Sequence, residues 1–203
     1  MIFQIKNLIK KPIVGIVQVG AHTGSEIEQL SLLSNNIVLF EPQKNVYAVL
    51  CENIKKYSNI IAENLALGSE KKYNVKMYKE YSNSGMSSSI LEPHIHKTQY
   101  PWVTFDGVEY ISMTTLDEYC ADKKINFNLL IMDVQGYELQ VLLGAKENLK
   151  KIDYIYCEVN REELYKNCAK VEELDSFLSE YGFKRTFTDW AGGTWGDAIY
   201  EKD

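Results

Sequence analysis

The sequence lacks the features of a membrane, secreted or nucleic-acid-coating protein. No segment approaches the ~20 apolar residues a membrane-spanning helix needs. Residues 1–11 carry Lys6, Lys10 and Lys11 and have no apolar run of signal-peptide length. Basic residues are outnumbered, 22 Lys and Arg against 28 Asp and Glu, and the net charge is −6. That balance argues against extended binding to nucleic acid, which needs a basic surface. The four cysteines, Cys51, Cys120, Cys157 and Cys168, contain no C-x-x-C pair and read as buried, reduced thiols. There is no spaced His/Cys set for zinc, no G-x-G-x-x-G dinucleotide fingerprint, no internal repeat and no linker. What remains is one domain over residues 1–203, with 45% hydrophobic residues to build its core, soluble and cytoplasmic.

What is present is organised around residues 13–26. The apolar, β-branched run 13–19 suits a strand buried on both faces, Gly20 to Gly24 makes a tight turn, and a helical pattern follows. Such a turn offers backbone N–H groups and a positive helix end to a nucleotide-like ligand. The rhythm repeats. Ile37 to Phe40 is a second strand and Val46 to Ile54 a second helix, and a third strand runs from Ile60 toward Gly68. Strand, helix, strand, helix, strand predicts a parallel, doubly wound sheet. Residues 70–113 interrupt it as an irregular insertion, with a strand near Val75 pairing with one at 107–113 and a Ser/Gly-rich loop at 82–89. Loops of this kind carry specificity on a rigid scaffold. Thr115 caps a helix with Glu118 three residues on. Strands at 128–134 and 152–159, helices at 137–149 and 171–181, and two closing strands complete the chain, and residues 2–10 read as a short amphipathic helix.

Two sets of acids fall at strand ends. Glu41 lies 21 residues after Gly20 and closes the second strand, so the two sit side by side at the sheet's carboxyl edge. A carboxylate there accepts hydrogen bonds from both hydroxyls of a ribose. Asp133, Gln135 and Glu138 open a helix at the end of another strand, where they either face the same crevice or cap the helix.

In their order, these motifs make the chain resemble the FkbM-type family of S-adenosylmethionine-dependent methyltransferases. The matching stretches run from Gln18 to Gly24, Phe40 to Pro42, Asn64 to Gly68, Ser87 to Ser89 and Thr115 to Asp117. Leu130 to Glu138, Leu142 to Ala145 and Tyr156 to Glu158 follow, so the resemblance covers about residues 13–200. Gln135 and His22 stand where many members have Glu and Asn. The resemblance implies a Rossmann-like α/β fold with a seven-stranded sheet, mostly parallel, whose last strand is antiparallel.

It also implies S-adenosyl-L-methionine as cofactor and an O-methyltransferase acting on a small-molecule or glycan hydroxyl. Gln18, Gly20, His22 and Gly24 would pass near its amino-acid part, Glu41 and Pro42 would hold the ribose, and Asn64 and Ala66 would border the adenine. Asp133 would lie between cofactor and acceptor. A hydroxyl acceptor needs a base, for which Asp133, His94, His96 and Glu158 are the candidates, with Glu138 behind them. Asp133, Glu138 and Glu158 are hard oxygen donors for a divalent cation, but with Gln135 in place of an acid a required metal is not favoured. Tyr81, Tyr100, Trp102, Tyr110 and the Trp190–Trp195 region offer aromatic faces for an acceptor. RNA or nucleotide methylation and a catalytically silent binding module are the competing readings.

Overall fold

The computed structural model describes residues 9–203. The helix expected over 2–10 lies outside the described residues except for Ile9 and Lys10, which are not helical. The strands are β1 (Ile16–Val19), β2 (Ile37–Phe40), β3 (Ile60–Glu63), β4 (Ala66–Leu67), β5 (Lys72–Lys79), β6 (Gly107–Thr114), β7 (Leu129–Met132), β8 (Tyr154–Asn160), β9 (Phe183–Ala191) and β10 (Trp195–Lys202). The helices are α1 (Ile27–Leu30), α2 (Lys44–Ile54), α3 (His96–Gln99), α4 (Leu116–Ala121), α5 (Glu138–Leu143), α6 (Lys146–Leu149) and α7 (Val171–Ser179).

Seven strands form one sheet in the order β3-β2-β1-β7-β8-β10-β9. β1 pairs in parallel with β2 and β7, and β10 runs antiparallel to both β8 and β9. This is the mostly parallel sheet with an antiparallel last strand that the resemblance implies. The order reverses at β1, so the ends of β1, β2 and β7 meet at the switch point where such sheets bind ligands. The central strands are buried on both faces and apolar except where Gln18 of β1 and Glu158 and Asn160 of β8 face inward. Val17, Val19, Leu130 and Met132 pack into one core with Leu142 and Leu174 of the helices, while Ile16, Leu129 and Ile131 pack with Leu30 and Leu50 into the other.

Three local differences from the sequence reading have physical causes. The third strand does not run unbroken to Gly68. Asn64 donates its amide to the carbonyls of Glu41 and Pro42 at 2.9 and 3.0 Å and turns the chain out of the main sheet. Ala66–Leu67 then pair with β6 in a second sheet of order β4-β6-β5. In that sheet β5 and β6 pair antiparallel, as their alternation predicts. The helix expected over 137–149 is two pieces split at Gly144. Asp117 accepts from the backbone N–H groups of Glu147 and Asn148 at 2.9 and 3.0 Å and so starts a fresh helix end there. The helix after the first turn is one turn long, and Leu32 is left exposed. The Thr115 cap is as expected, its hydroxyl accepting from Glu118 N at 2.9 Å.

Candidate active site

A cavity of about 650 Å³ opens over the ends of β1, β2, β7 and β8. At one end lies the first turn. Gly20 has φ +79°, and a Cβ there would run into the Asp133 carbonyl, so only glycine lets β1 end this close to β7. The turn spends most of its donors internally. Gly20 N and Ala21 N donate to Phe40 O, Gly24 N to Ala21 O, and His22 N to Glu41 Oε2 at 2.9 Å. The expected nest of free N–H groups is therefore mostly used up in holding the turn to β2. Glu41 is only 2% exposed, and its Oε1 accepts from Gln43 N at 2.8 Å. Burial raises its pKa, and the N–H bonds from Gln43 and His22 hold it back. A carboxylate has about four acceptor sites, so two remain for a pair of ligand hydroxyls. Gln18 and Gln43 line the same region, and each keeps a buried side-chain oxygen without a partner. Unmet acceptors beside a ribose-sized acid fit a polar nucleoside cofactor.

The floor of the other end is acidic. Asp133 follows β7, Glu158 lies on β8 and Asp197 on β10, where register places it opposite Glu158. Glu26 joins them through Gln18, whose Nε2 donates to Glu26 Oε2 at 2.7 Å. Burial raises the pKa of all four, and for Glu158 the charges of Asp133, Glu138 and Asp197 push it further. Glu158 is 6% exposed. Asp133 is ringed by protein yet its side chain is exposed to the cavity, so water there offsets part of its burial. Glu138 does not line the cavity. Its Oε1 accepts from Val134 N and Gly136 N at 3.0 and 3.3 Å, and burial raises its pKa to about 7.

The insertion supplies the roof. Buried Glu80 gathers the loop after β5, accepting from Asn83 N at 2.6 Å and Ser87 N at 3.3 Å. The loop then reaches over the first turn. His22 Nε2 lies 2.9 Å from Ser84 O, and Gln43 Nε2 donates to Gly85 O at 3.1 Å. Since a carbonyl only accepts, His22 carries its proton on Nε2. Beyond the loop, His96 is 4% exposed and packs against Tyr100, Phe105 and Tyr165 with ring centroids 5.0, 5.2 and 5.4 Å away. Burial lowers its pKa, so it is neutral at pH 7, and its Nδ1 has no partner. Trp195 Nε1 donates to Tyr100 Oη at 2.7 Å, and Trp102 stands at the mouth, 68% exposed.

Of the residues singled out from sequence, Gln18, Gly20, His22, Glu41, Pro42, Ala66, His96, Asp133 and Glu158 line this cavity together. Gly24, Asn64 and His94 do not. Gly24 packs under Ile27 and Leu50, and Asn64 buttresses the end of β2 as described. His94 is on the surface, its Nδ1 3.2 Å from Glu163 O and 3.8 Å from the Glu163 carboxylate. Among the aromatics, Tyr100, Trp102 and Trp195 line the cavity. Tyr81 and Tyr110 are exposed outside it, and Trp190 stacks under Arg161 at 3.6 Å. Sequence reasoning missed Glu26, Tyr156, Asp197 and Tyr165. Glu26 stands just after the first turn and was within reach of sequence reasoning, while only strand register and the fold of the chain after β8 bring the other three to the site.

Among the described residues no group of His, Cys, Asp and Glu is arranged to hold a metal ion, and no helix is long and apolar enough to cross a membrane. The cysteines are unpaired, with Cys51 half-buried and Cys120, Cys157 and Cys168 buried.

Comparison with known proteins agrees with this geometry. A family profile described as "Methyltransferase FkbM domain" matches residues 18–185. A curated protein of Sinorhizobium fredii (strain NBRC 101917 / NGR234), "2-O-methyltransferase NoeI", is 30% identical over 186 residues, covering 88% of this chain and 76% of that protein. The crystal structure of an FkbM methyltransferase from Methylobacillus flagellatus KT superposes with a TM-score of 0.62 at 15% identity over 96% of this chain. This chain spans 45% of that longer protein. N-methyltransferase NodS from Bradyrhizobium japonicum WM9 gives a TM-score of 0.56 at 12% identity, covering 99% of this chain and 93% of its own. The M. capricolum TrmK structure holding S-adenosyl-homocysteine gives 0.56 at 10% identity, over 100% of this chain and 67% of that one. At such low identity these structures show the shared fold.

Proposed function

Because the chain belongs to the FkbM methyltransferase family, we propose that it transfers the methyl group of S-adenosylmethionine to a hydroxyl of a carbohydrate or carbohydrate-like small molecule. The observation that carries this reading is one continuous cavity with two unlike ends. Glu41 and the Gly20 turn suit a ribose and its attached amino-acid part. The other end has carboxylates on its floor and Tyr100, Trp102 and Trp195 around it. Carboxylates accept hydrogen bonds from hydroxyls, and aromatic faces stack on the apolar faces of sugar rings. The same acidity repels phosphate-bearing acceptors, which disfavours RNA. The name of the Sinorhizobium relative, a 2-O-methyltransferase, supports an oxygen acceptor.

The cofactor supplies a methyl group on a sulfonium, with a neutral leaving group. The protein's task is then to hold the acceptor oxygen about 3 Å from the methyl carbon, in line, and to receive its proton. Asp133, Glu158 and neutral His96 line the cavity as proton acceptors. His22, Ala66 and Asp133 are the residues that would flank the cofactor. Residues 1–203 act as one domain, in which the 70–113 insertion selects the acceptor. The unpaired thiols favour a cytoplasmic setting, where thiols stay reduced.

The test is calorimetry with S-adenosylhomocysteine, followed by labelled-methyl transfer into separate glycan and RNA fractions of a host extract. Micromolar-range binding is expected, weakened about 50-fold or more in Glu41→Ala, because two hydroxyls and two backbone N–H groups lose a buried charged partner. Label in the RNA fraction alone would overturn the glycan reading. Binding without transfer to any fraction would favour a silent module.

A further inference from the structure

Methyl transfer to a hydroxyl leaves a proton to place, and two of the cavity's carboxylates are held by a single amide. Gln135 Nε2 donates to Asp133 Oδ1 at 2.7 Å and to Glu158 Oε2 at 3.1 Å. The other end of that amide, Oε1, lies 2.7 Å from the hydroxyl of fully buried Tyr165. The backbone carbonyl of Gln135 accepts from Ser89 Oγ at 2.7 Å. Its φ of +55° is a left-handed conformation that side-chain-bearing residues seldom adopt and that persists only where neighbours over-determine it. The Tyr165 hydroxyl also lies 2.9 Å from Ser87 O, so its one proton is shared between that carbonyl and Gln135 Oε1. An ionised Asp133 Oδ1 only accepts, so the NH₂ group faces the carboxylates and Oε1 faces Tyr165.

We propose that Gln135, oriented by Tyr165, is a positioning residue that keeps Asp133 ionised in the cavity so that Asp133 accepts the proton of the acceptor hydroxyl. This rests on the O-methyltransferase reading. The acceptor oxygen bonds the methyl carbon, the electron pair of the broken carbon–sulfur bond stays on sulfur, and the pair of the O–H bond stays on oxygen. The proton passes to Asp133 Oδ2, which accepts no hydrogen bond among the described residues.

Asp133 needs the help because burial, and after it the acidic surroundings, favour its protonated form. Glu158 and Tyr156 face it from β8, Asp197 from β10, Glu138 from α5 and Glu26 from just before α1, with Tyr165 on the chain after β8. Against these, the Gln135 hydrogen bond and His22 are what hold its proton affinity down. The arrangement also explains what a glutamine accomplishes where a third acid would add to the repulsion. It supplies one donor hydrogen to each of two carboxylates without bringing a charge of its own.

The experiment is a ¹³C NMR titration of the Asp133 carboxyl, assigned with Asp133→Asn, in the S-adenosylhomocysteine complex. It is paired with the pH profile of labelled-methyl transfer into the glycan fraction. In Gln135→Glu, which keeps the side-chain shape, the Asp133 midpoint should rise by about one unit or more. The acidic limb of the rate profile should move to higher pH by the same amount. Tyr165→Phe keeps the NH₂ group but frees it to rotate and should give a smaller rise in the same direction. Gln135→Leu, folded as judged by retained cofactor-product binding, should match or exceed one unit. Wild-type transfer whose acidic limb and Asp133 midpoint are unchanged in Gln135→Glu would overturn the proposal. No transfer by the wild type at any pH would instead overturn the O-methylation reading on which it stands.

Discussion

The two ends of the cavity are built by different means. The end proposed for the cofactor is framed by main chain: the Gly20 turn is tied to Phe40 O and Glu41 by backbone donors, and its shape follows from where parallel strands stop. The end proposed for the acceptor is side chain: carboxylates from three strands below, and above them an irregular insertion whose loop is gathered by Glu80. A backbone-built site tolerates little change. A side-chain-built site can be altered one residue at a time while the sheet stays as it is. Such a division lets one fold keep a single cofactor and accept many substrates.

The largest effect should come from breaking the first end. Gly20→Ala places a Cβ against the Asp133 carbonyl at a positive φ. We expect a loss of roughly 3 kcal/mol or more in denaturant-measured stability, and no measurable cofactor-product binding by calorimetry. A smaller change should follow in Glu138→Gln, beneath the second end. Burial raises the Glu138 carboxyl from 4.5 to about 7, so the folded state holds a proton that the unfolded state has released. Its contribution is complete below 4.5 and is lost as pH rises through about 7. Wild-type thermal stability should therefore fall across that window, by an amount on the order of 3 kcal/mol. The variant's curve should be flatter, and an equally steep curve would refute the assignment. The smallest effect is expected at the mouth. Trp102→Ala removes an exposed aromatic face worth roughly 1 kcal/mol. It should raise the KM for the glycan acceptor several-fold while leaving cofactor-product affinity unchanged.

The same division decides what could be read from sequence. The Gly20 turn, Glu41 and the strand order are local patterns, because an apolar run, a glycine and a strand-end acid occur close together in the chain. The pairing of β5 with β6 was legible for a similar reason, since alternation at Tyr73, Val75 and Met77 marks a sheet with one open face. Contacts between distant residues were not legible. The split of the third strand depends on the Asn64 side chain reaching the carbonyls of Glu41 and Pro42, and the break at Gly144 on Asp117 from another helix. Asp197 reaches the site only through the register of β10 with β8. His94 and His96 look alike in sequence, yet they stand two residues apart at the start of a short helix. One meets solvent and Glu163, the other the half-buried rings of Tyr100 and Phe105 and the buried ring of Tyr165.

The loop over the first turn is pinned at two adjacent carbonyls, Ser84 O to His22 and Gly85 O to Gln43. Both pins belong to the first turn and the end of β2, the side proposed for the cofactor. A lengthened or shortened loop would lose its purchase on that side, whereas side chains facing away from the two pins can be exchanged without breaking them. Asn83, Met86, His96, Tyr100 and Trp102 line the cavity on this side and are the positions at which the proposed acceptor specificity would be changed. A library that randomises those positions at fixed loop length is the economical route to enzymes with new acceptors.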